Sequence, residues 1–306
     1  MIMSNYKYTV IIPHYNIPDL LMRCLGSIPV REEIQVIVVD DCSPDASTYR
    51  ERYPELSRPY LEYYQTPQGG SAGRARNLGL GHAMGKWILF MDADDLFEDN
   101  LYGLLEDNME EDADIVFFSH RSVMSDDLSQ PADRNFYQYL FDDYKESGSS
   151  DKLRYDFYSL WGKVFNRAFV ERNNIRCSET MYSNDVLFSF VAGHLAGKVQ
   201  VVGHPLYIVT QRSGSLASSQ FSDKVMTLRE CEDRLDVALK VVRMTRKYDI
   251  PVKKDQYLEL SRAMRQHYPV RYLLLMARLF VTDPKTFMVF LRRDCRTFVR
   301  VLKRSE

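Results

Sequence analysis

The sequence predicts an α/β protein in which a mostly parallel β-sheet is flanked by helices, with a helical extension at the C-terminus. Two observations predict this fold class. In the first half of the 306-residue chain, short runs of apolar, often β-branched residues alternate with stretches of helical periodicity. After Ser222 the apolar residues recur at helical spacing to the end. We therefore expect two domains, residues 1–220 around the sheet and residues 221–306 built of helices.

Strands are predicted where the apolar runs are unbroken, because such runs are typical of strands buried on both faces of a parallel sheet. Residues 9–12 and 35–39 are the first two runs, and the helical pattern of residues 18–28 between them completes a β-α-β unit. Three further strands and a helix before the second of them are predicted in order along the chain: strands at residues 60–64, 87–91 and 115–119, and the helix at residues 72–83.

The middle of the chain gives a weaker pattern. Residues 120–155 are polar and rich in Ser, Asp and Tyr, so we expect a loop or an insertion there. Beyond them, helices are predicted over residues 166–173 and 183–196. A closing pair of strands is predicted over residues 199–202 and 206–209.

The overall composition excludes several classes of function. Forty Lys+Arg against forty-two Asp+Glu leave a formal charge of −2, whereas a protein that neutralises a nucleic-acid backbone needs a basic excess. Five widely spaced cysteines without a CxxC pair fit a reducing compartment. Neither a signal peptide nor a membrane-spanning apolar run is expected. These features predict a cytoplasmic protein that does not bind nucleic acid.

Two acidic clusters follow predicted strands. Asp40 and Asp41 come after the second strand, where ligands of open α/β sheets bind, although capping of the next helix is an equal alternative. Asp92, Asp94 and Asp95 come directly after the fourth strand, and such close carboxylates repel one another unless a cation is near. Because hard oxygen ligands suit Mg²⁺ or Mn²⁺, the second cluster predicts a divalent-cation site, with a solvated loop as the alternative.

A glycine-rich turn precedes the second predicted helix. Residues 69–73 supply the turn, and Arg74 and Arg76 follow at the start of the helix, where amides and the helix dipole suit an anion. Simple turn formation and a solvated face are the alternatives. Residues 79–85 have one residue too many for a dinucleotide fingerprint and precede a strand, so a Rossmann dehydrogenase is excluded.

Taken in order, these segments resemble the family-two inverting nucleotide-sugar glycosyltransferases of bacterial polysaccharide synthesis, which have the Rossmann-like GT-A fold. Four motifs carry the resemblance: residues 10–16, 38–45, 69–79 and 90–95. Residues 161–167 are similar to a segment found in many bacterial members. Asn184-Asp185 is similar to the Glu-Asp pair of the family, with Asn where Glu is usual. The resemblance extends over residues 6–220.

The resemblance implies a role for each matching residue. A cofactor, Mn²⁺ or Mg²⁺, held by Asp94 and Asp92 would bridge the diphosphate of the donor. Asp185 would be the catalytic base that takes the proton of an acceptor hydroxyl. Binding of the nucleotide sugar is implied for a larger set: Pro13, Tyr15, Asp40, Asp41, Gly70, Arg76, Asp92, Ala93 and Arg212.

The reaction that the resemblance implies is the transfer of a sugar from a nucleotide-diphosphate donor to a hydroxyl of a glycan or lipid-linked saccharide. UDP-sugar is preferred because uracil offers an imide N–H to an Asp, while GDP and dTDP stay open. One alternative is a sugar-nucleotide pyrophosphorylase, which ordinarily needs a basic glycine-rich loop where residues 14–18 stand. Another is a non-catalytic nucleotide-sugar-binding protein, against which the complete acidic cluster argues. Homo-oligomerisation is left open.

The C-terminal region has its own charge pattern. Residues 262–306 carry eleven Lys+Arg and three acids, a net +8 beside −10 for the rest of the chain. Thr282-Asp283-Pro284 predicts the start of a helix to residue 304, with apolar residues from Phe287 onwards on one side, Val289 excepted, and basic residues on the other. Such a helix lies on an anionic membrane or packs on the protein, and the charge concentration favours peripheral contact with the inner face of the membrane.

Overall fold

A computed structural model describes residues 6–212, 226–250 and 256–292. The chain forms two compact units, Met1–Asp223 and Lys224–Glu306. In its described part the first unit has eight strands: β1 (Tyr8–His14), β2 (Ile34–Asp40), β3 (Leu61–Gln65), β4 (Trp87–Phe90), β5 (Leu96–Phe97), β6 (Ile115–Met124), β7 (Lys163–Asn166) and β8 (Val199–Gln211). Its helices are α1 (Pro18–Gly26), α2 (Ala46–Arg52), α3 (Ala72–His82), α4 (Leu101–Asn108), α5 (Gln138–Ser147), α6 (Asp151–Asp156), α7 (Arg167–Arg172) and α8 (Val186–Leu195).

The strands form one mixed sheet in the order β3-β2-β1-β4-β7-β6-β8-β5. The pairs among β1 to β4 are parallel, and so is the pair of β6 with β8. The pairs of β7 with β4 and β6, and of β5 with β8, are antiparallel. Six strands therefore run in one direction, and the carboxyl ends of β1, β2, β4 and β6 meet at the same edge of the sheet.

Both faces of the sheet are buried, as the unbroken apolar runs predict. Side chains alternate across a strand, so Val10 and Ile12 enter one hydrophobic cluster while Ile11 enters the other. The first cluster also holds Leu21 of α1, and the second holds Phe188 of α8. The helices thus cover the two faces and leave the edge with the strand ends for loops.

Residues 120–155 are not the loop that their composition predicts. They contain the end of β6 and the helices α5 and α6, which bury Leu140, Phe141 and Leu153. A helix that buries only one or two side chains needs few apolar residues, so its periodicity is weak. The predicted closing pair of strands is the single strand β8, whose pairing with β6 is irregular around Ser119. The short strands β5 and β7 are missing from the sequence prediction.

The second unit is helical in its described residues. It contains α9 (Leu228–Lys247), α10 (Gln256–His267) and α11 (Pro269–Thr282), and residues 284–292 are also helical. These elements share a hydrophobic core: Cys231, Leu235, Leu239, Val242, Met264, Tyr272, Met276, Leu279 and Phe290. Within the described ranges, no helix combines the length and the apolar character that crossing a membrane requires.

The last helix begins where the sequence predicts. The carboxylate of Asp283 accepts hydrogen bonds from the backbone N–H of Thr286 (3.1 Å) and from its hydroxyl (2.7 Å), which caps the first turn. The packed side differs from the prediction, because Val289 packs on the core of the unit while Leu291 is 38% exposed. The predicted continuation to residue 304 lies outside the described residues.

Candidate active site

The first acidic cluster supports a loop at the end of β2. Asp40 is fully buried and accepts hydrogen bonds from the Ser43 backbone N–H (2.7 Å) and hydroxyl (2.7 Å) and from Nδ1 of His14 (2.9 Å). Nε2 of His14 accepts from the Ile17 N–H (3.1 Å), so the proton lies on Nδ1 and the ring is neutral. Burial opposes the charge of Asp40, but these donors outweigh it and lower its pKa.

Asp41 holds the glycine turn. One carboxylate oxygen accepts from the N–H groups of Gly70 (2.8 Å) and Ser71 (2.7 Å), and the other accepts from the Thr66 hydroxyl (2.9 Å). A Cβ on Gly69 would lie 2.8 Å from the backbone oxygen of Asp41, and Gly70 has φ 110°. The turn therefore needs both glycines to approach Asp41 this closely.

These hydrogen bonds bear on the two roles that the sequence leaves open for Asp40 and Asp41, which are ligand binding and capping of the next helix. Capping of the next helix is wrong, because α2 begins after Asp45, whose side chain makes no capping bond either. Both carboxylates instead tie loops at the sheet edge together. Their predicted contact with a nucleotide stays a prediction, and the buried, bonded oxygens argue against it.

The second acidic cluster divides into a buried acid and two partly exposed ones. Asp95 is 4% exposed and accepts from the backbone N–H of Thr210 (2.7 Å) and the hydroxyl of Tyr207 (2.9 Å). Asp92 and Asp94 have side chains that are 36% and 23% exposed, and each pairs with an arginine. Asp95 therefore anchors the loop, and the other two present their carboxylates at the surface.

The electrostatics of the loop disfavour the ionisation of Asp94 and Asp95. Burial and the nearby Asp92 carboxylate raise the pKa of Asp94, against the opposing effect of Arg212. Burial also raises the pKa of Asp95 well above its ordinary value, with further contributions from Asp94 and Asp92. The negative charge of the three carboxylates is therefore only partly offset by the arginines beside them. Within the described ranges, no group of three His, Cys, Asp or Glu side chains is arranged to hold a metal ion.

Arg76 links the acidic loop to a distant segment of the chain. Its Nη2 donates to Asp92 (2.6 Å), and its Nη1 donates to the side-chain oxygen of Asn184 (2.5 Å). Burial disfavours its charge, but the nearby Asp92, Cys177 and Asp185 outweigh burial and raise its pKa. The guanidinium therefore stays charged between the acidic loop and the residues before α8.

The helix α3 positions that segment by close packing. Asn77 exchanges two hydrogen bonds with the backbone of Cys177, at 3.0 and 2.9 Å. Ser71 donates to the carbonyl of Thr180 (2.9 Å). At Gly73 a Cβ would overlap the carbonyl of Ser178, so only glycine allows this approach. The segment ends at Ser183, whose positive φ of 55° precedes Asn184 and Asp185.

Asp185 occupies the N-cap position of α8 without using its side chain as a cap. Burial raises the pKa of its carboxyl, while the Arg76 guanidinium acts in the opposite direction. Lys163 also acts on it, although burial lowers the pKa of that amine well below its usual value. The Lys163 amine donates to the carbonyl of Phe157 and to the hydroxyl of Ser189 (3.1 Å). Asp185 thus lies beside a charged guanidinium, and a backbone hydrogen bond also acts to lower the pKa of its carboxyl.

The remaining predicted residues line the same edge to different extents. Pro13 and Ala93 are buried, while Tyr15 is 57% exposed just beyond β1. Arg212 donates through Nε to Asp94 (3.1 Å). The structure therefore brings Arg76, Arg212 and the acids together, and it leaves the Tyr15 ring open to solvent at the strand ends.

Sequence reasoning missed residues that hold the acidic loop from behind. The hydroxyl of Tyr207 bridges Asp95 and the backbone N–H of Asp92 (3.0 Å), and its ring stacks on Trp161 at 5.3 Å between centroids. Arg23 donates to the carbonyls of Asp94 (2.6 Å) and Ser125 (2.6 Å). Arg23 is a lone basic residue near the end of α1, away from the side that buries Leu21 and Leu25, so the sequence gives no distinct signal for this support.

A buried histidine lies beside these aromatic rings. His120 is 4% exposed, its ring centroid is 5.0 Å from that of Trp161, and neither of its nitrogens has a hydrogen-bond partner among the described residues. Burial lowers the pKa of His120 to about 4, so the ring is neutral at pH 7. A buried imidazole of this kind is completed by a water or a ligand hydroxyl.

The fold and the site define a GT-A-type nucleotide-sugar transferase architecture: a largely parallel sheet, acids beyond the fourth strand and a further acid at the start of a facing helix. A comparison of the sequence with known families identifies the family within this class. Residues 9–173, more than half of the chain, match the family described as Glycosyl transferase family 2. The chain belongs to this family, and the match argues against the pyrophosphorylase alternative.

Curated relatives agree with this family. The chain is 27% identical over 284 residues to the glycosyltransferase GlyA of Streptococcus pneumoniae, which covers 85% of this chain and 38% of GlyA. It is 26% identical over 222 residues to the poly(ribitol-phosphate) beta-N-acetylglucosaminyltransferase TarS of Staphylococcus aureus, which covers 70% of this chain and 37% of TarS. The chain thus spans under two-fifths of the length of these relatives.

Solved structures support the fold. The crystal structure of S. aureus TarS 1–349 in complex with UDP-GlcNAc gives a TM-score of 0.59 at 21% identity, covering 86% of this chain and 73% of that one. The mannosyltransferase PcManGT from Pyrobaculum calidifontis, in complex with GDP-Man and Mn²⁺, gives a TM-score of 0.53 at 17% identity, covering 98% and 88%. At these identities the likeness shows a shared fold.

Proposed function

We propose that the protein is an inverting glycosyltransferase that moves a sugar from a nucleotide-diphosphate donor to a hydroxyl of a glycan or lipid-linked saccharide in bacterial cell-surface polysaccharide synthesis. The observation that carries the proposal is Arg76, which joins the acidic loop to the segment that ends in Asp185. In support of the proposal, the Arg76 guanidinium acts on both Asp185 and Asp92, and the pKa of Asp185 is raised by burial. A base and a leaving-group site at one edge are what a single displacement requires.

UDP is the nucleotide that we favour, with GDP and dTDP as the other outcomes of a donor screen. Support comes from the relative TarS, whose structure is a complex with UDP-GlcNAc. We assign the exposed Tyr15 ring, with Pro13 and the Gly70 turn, to the wall that meets the nucleotide. Asp40 and Asp41 then act mainly through the loops that they hold, and Ala93 fills the space behind the acidic loop.

A divalent cation, Mn²⁺ or Mg²⁺, is proposed at Asp94 and Asp92. Two carboxylates match the way such ions bind one or two carboxylates and complete their shell with waters and substrate phosphates. When bound, the ion supplies charge neutralisation for the departing nucleoside diphosphate. Arg212 and Arg76 hold these two carboxylates, and Arg212 would turn to the diphosphate when the donor binds.

Asp185 is proposed as the general base. Its carboxylate would accept the proton of the acceptor hydroxyl while that oxygen forms its bond to the anomeric carbon of the donor sugar. The bond from this carbon to the diphosphate breaks on the opposite face, so the anomeric configuration inverts. Arg76 has a positioning role, because its charge opposes the effect of burial, which raises the pKa of Asp185.

The test is a screen of the full chain against UDP-, GDP- and dTDP-sugars with and without Mn²⁺, read as released nucleoside diphosphate. Asp185→Asn should reduce transfer by about 10² to 10⁴ and leave the affinity for the donor unchanged, because the base acts on the acceptor. Asp107→Asn, an exposed change on α4, is the matched control. Loss of donor binding with retained turnover in Asp185→Asn would move this residue to the donor site.

The proposal extends to location. A lipid-linked acceptor and the basic C-terminal region, +8 over residues 262–306, support a cytoplasmic enzyme in peripheral contact with the inner face of the cell membrane. Residues 287–291 of the predicted amphipathic helix pack partly on the core of the second unit. These residues alone therefore do not define the surface that would contact the membrane.

A further inference from the structure

The helix α11 carries a row of exposed apolar side chains. They lie on one side of the helix, at successive intervals of three, one, six and one residues. Their exposed fractions are 69% for Val270, 66% for Leu273, 58% for Leu274, 63% for Phe280 and 77% for Val281. The opposite side buries Tyr272, Met276 and Leu279 in the core of the second unit. Single exposed apolar residues are ordinary, but a contiguous row marks an interaction surface.

The row continues beyond α11. The Phe280 ring contacts Phe287 edge-on, with 5.2 Å between centroids. The helix that carries Phe287 also exposes Met288 (41%) and Leu291 (38%). The surface formed by these side chains and the α11 row is called the apolar face below.

The charges beside the apolar face are positive. Arg271 and Arg278 are seven residues apart, so they lie on the same border of the α11 row, and α11 contains no acid. Glu232 of α9 lies 3.9 Å from the Arg271 guanidinium and offsets part of its charge. Lys285 and Arg292 are exposed on the next helix. The acid between the two helices, Asp283, is paired with Arg243 (3.1 Å) and Arg246 (3.3 Å).

We propose that the apolar face binds the surface of an anionic lipid bilayer. The proposal sharpens the membrane contact of the proposed function, because it assigns the contact to α11 and not only to the predicted terminal helix. At 14 residues α11 is shorter than the ~20 that span a bilayer, so it lies in the interface. The stems of Arg271 and Arg278 would lie along the apolar row with their guanidinium groups among the headgroups.

A second copy of the chain is a poorer occupant of this face. In an antiparallel two-fold contact the same border of both helices meets, so the Arg278 side chains of the two copies approach each other. No acid on α11 compensates for this repulsion. Anionic headgroups supply the missing negative charge, which is why we commit to lipid.

The experiment is flotation of the full chain with vesicles of phosphatidylcholine alone or with one quarter phosphatidylglycerol. The double change Leu273→Ser and Val281→Ser should weaken binding to anionic vesicles at least tenfold, because both side chains are exposed and their removal leaves the core intact. Arg278→Gln should weaken it about fivefold and only with anionic lipid. Val30→Ser and Leu128→Ser, which remove exposed apolar side chains of the first unit (54% and 43%), are the matched controls.

Equal flotation of the wild type and the double variant would overturn the proposal, and so would absence of wild-type binding or equal binding to neutral vesicles. Light scattering gives a further check, since conversion of a wild-type dimer to a monomer by the double variant would assign the face to a second copy. Donor hydrolysis is measured on the same variants and should be unchanged. If no nucleotide sugar is hydrolysed by any variant, the proposed function fails while the flotation result still stands.

Discussion

The two acidic clusters at the sheet edge look alike in sequence and differ in the structure. Asp40 and Asp41 are bonded by amides, hydroxyls and a neutral imidazole, and both are nearly inaccessible. Asp92 and Asp94 are partly exposed, and the side-chain partner of each is an arginine. The first cluster is thus held by neutral donors and the second by the guanidinium groups of Arg76 and Arg212.

The difference teaches how to separate a supporting carboxylate from one that is available to a ligand. A carboxylate that accepts backbone N–H groups cannot release them without loss of the loop, because a buried unpaired amide costs about 1–3 kcal/mol. A partly exposed ion pair with arginine is worth only about 0–1 kcal/mol, so a cation or phosphate can replace it. The first cluster therefore builds the site, and the second is the candidate to act in it.

The largest expected effect comes from removing one carboxylate of the second acidic cluster. Asp94→Asn should reduce sugar transfer by about 10³-fold, since it removes a proposed cation ligand whose charge neutralisation contributes several kcal/mol. Thermal unfolding should be almost unchanged, because the pair with Arg212 is half-exposed. The measurement is released nucleoside diphosphate with Mn²⁺ and with excess chelator. Full turnover of the wild type in chelator would remove the cation from the proposal.

The next largest effect concerns the first acidic cluster. Here the expected change is in the free energy of unfolding, whereas Asp94→Asn is expected to change sugar transfer. Asp40→Asn should lower the free energy of unfolding by about 2 kcal/mol at pH 7, since it weakens charge-assisted bonds to Ser43. The folded-state pKa of Asp40 is lowered, so its contribution is present above pH 4 and is lost as the pH falls through that pKa. Denaturant unfolding at pH 7 and pH 3 measures this, and a difference that persists undiminished at pH 3 would contradict it.

A third change tests the link from the acidic loop to the base. Asn184→Glu adds a carboxylate beside Arg76 and Asp185, which should raise the pKa of Asp185 by about one unit, because a like charge disfavours ionisation. The acid limb of kcat/KM should then move to higher pH by about the same amount, with little loss above it. Asn184→Gln is the control without charge. An acid limb that does not move would separate Asp185 from the titration that controls the rate.

The smallest effect sharpens the role of the glycine turn. Gly70→Ala should cost about 1 kcal/mol, because φ 110° is unfavourable for a residue with a Cβ. Gly148→Ala, at φ 68° with open space around the position, should cost a similar amount away from the site. Only Gly70→Ala should also weaken binding of the donor, measured by calorimetry. Equal donor affinity in both variants would make the turn purely structural.

The sequence predicts much of the fold for reasons that are local. The runs at residues 9–12 and 35–39 became β1 and β2, since unbroken apolar runs of this length are stable only between two covered faces. The pattern fails in residues 120–155, where α5 and α6 bury few side chains and the period is hidden by polar residues. It also fails for β5 and β7, which are two and four residues long.

By itself the sequence determined that acids follow strand ends, and it predicts that the resulting edge of the sheet binds a ligand. Only the tertiary structure decided what each acid does. Asp40 finds its partner three residues away, but Arg76 reaches Asn184 over 108 residues and Arg212 reaches Asp94 over 118. Periodicity and propensity describe neighbours along the chain, whereas the partner of a buried carboxylate depends on which segments the packed core brings together. The separation of supporting from available carboxylates therefore exists only in the folded protein.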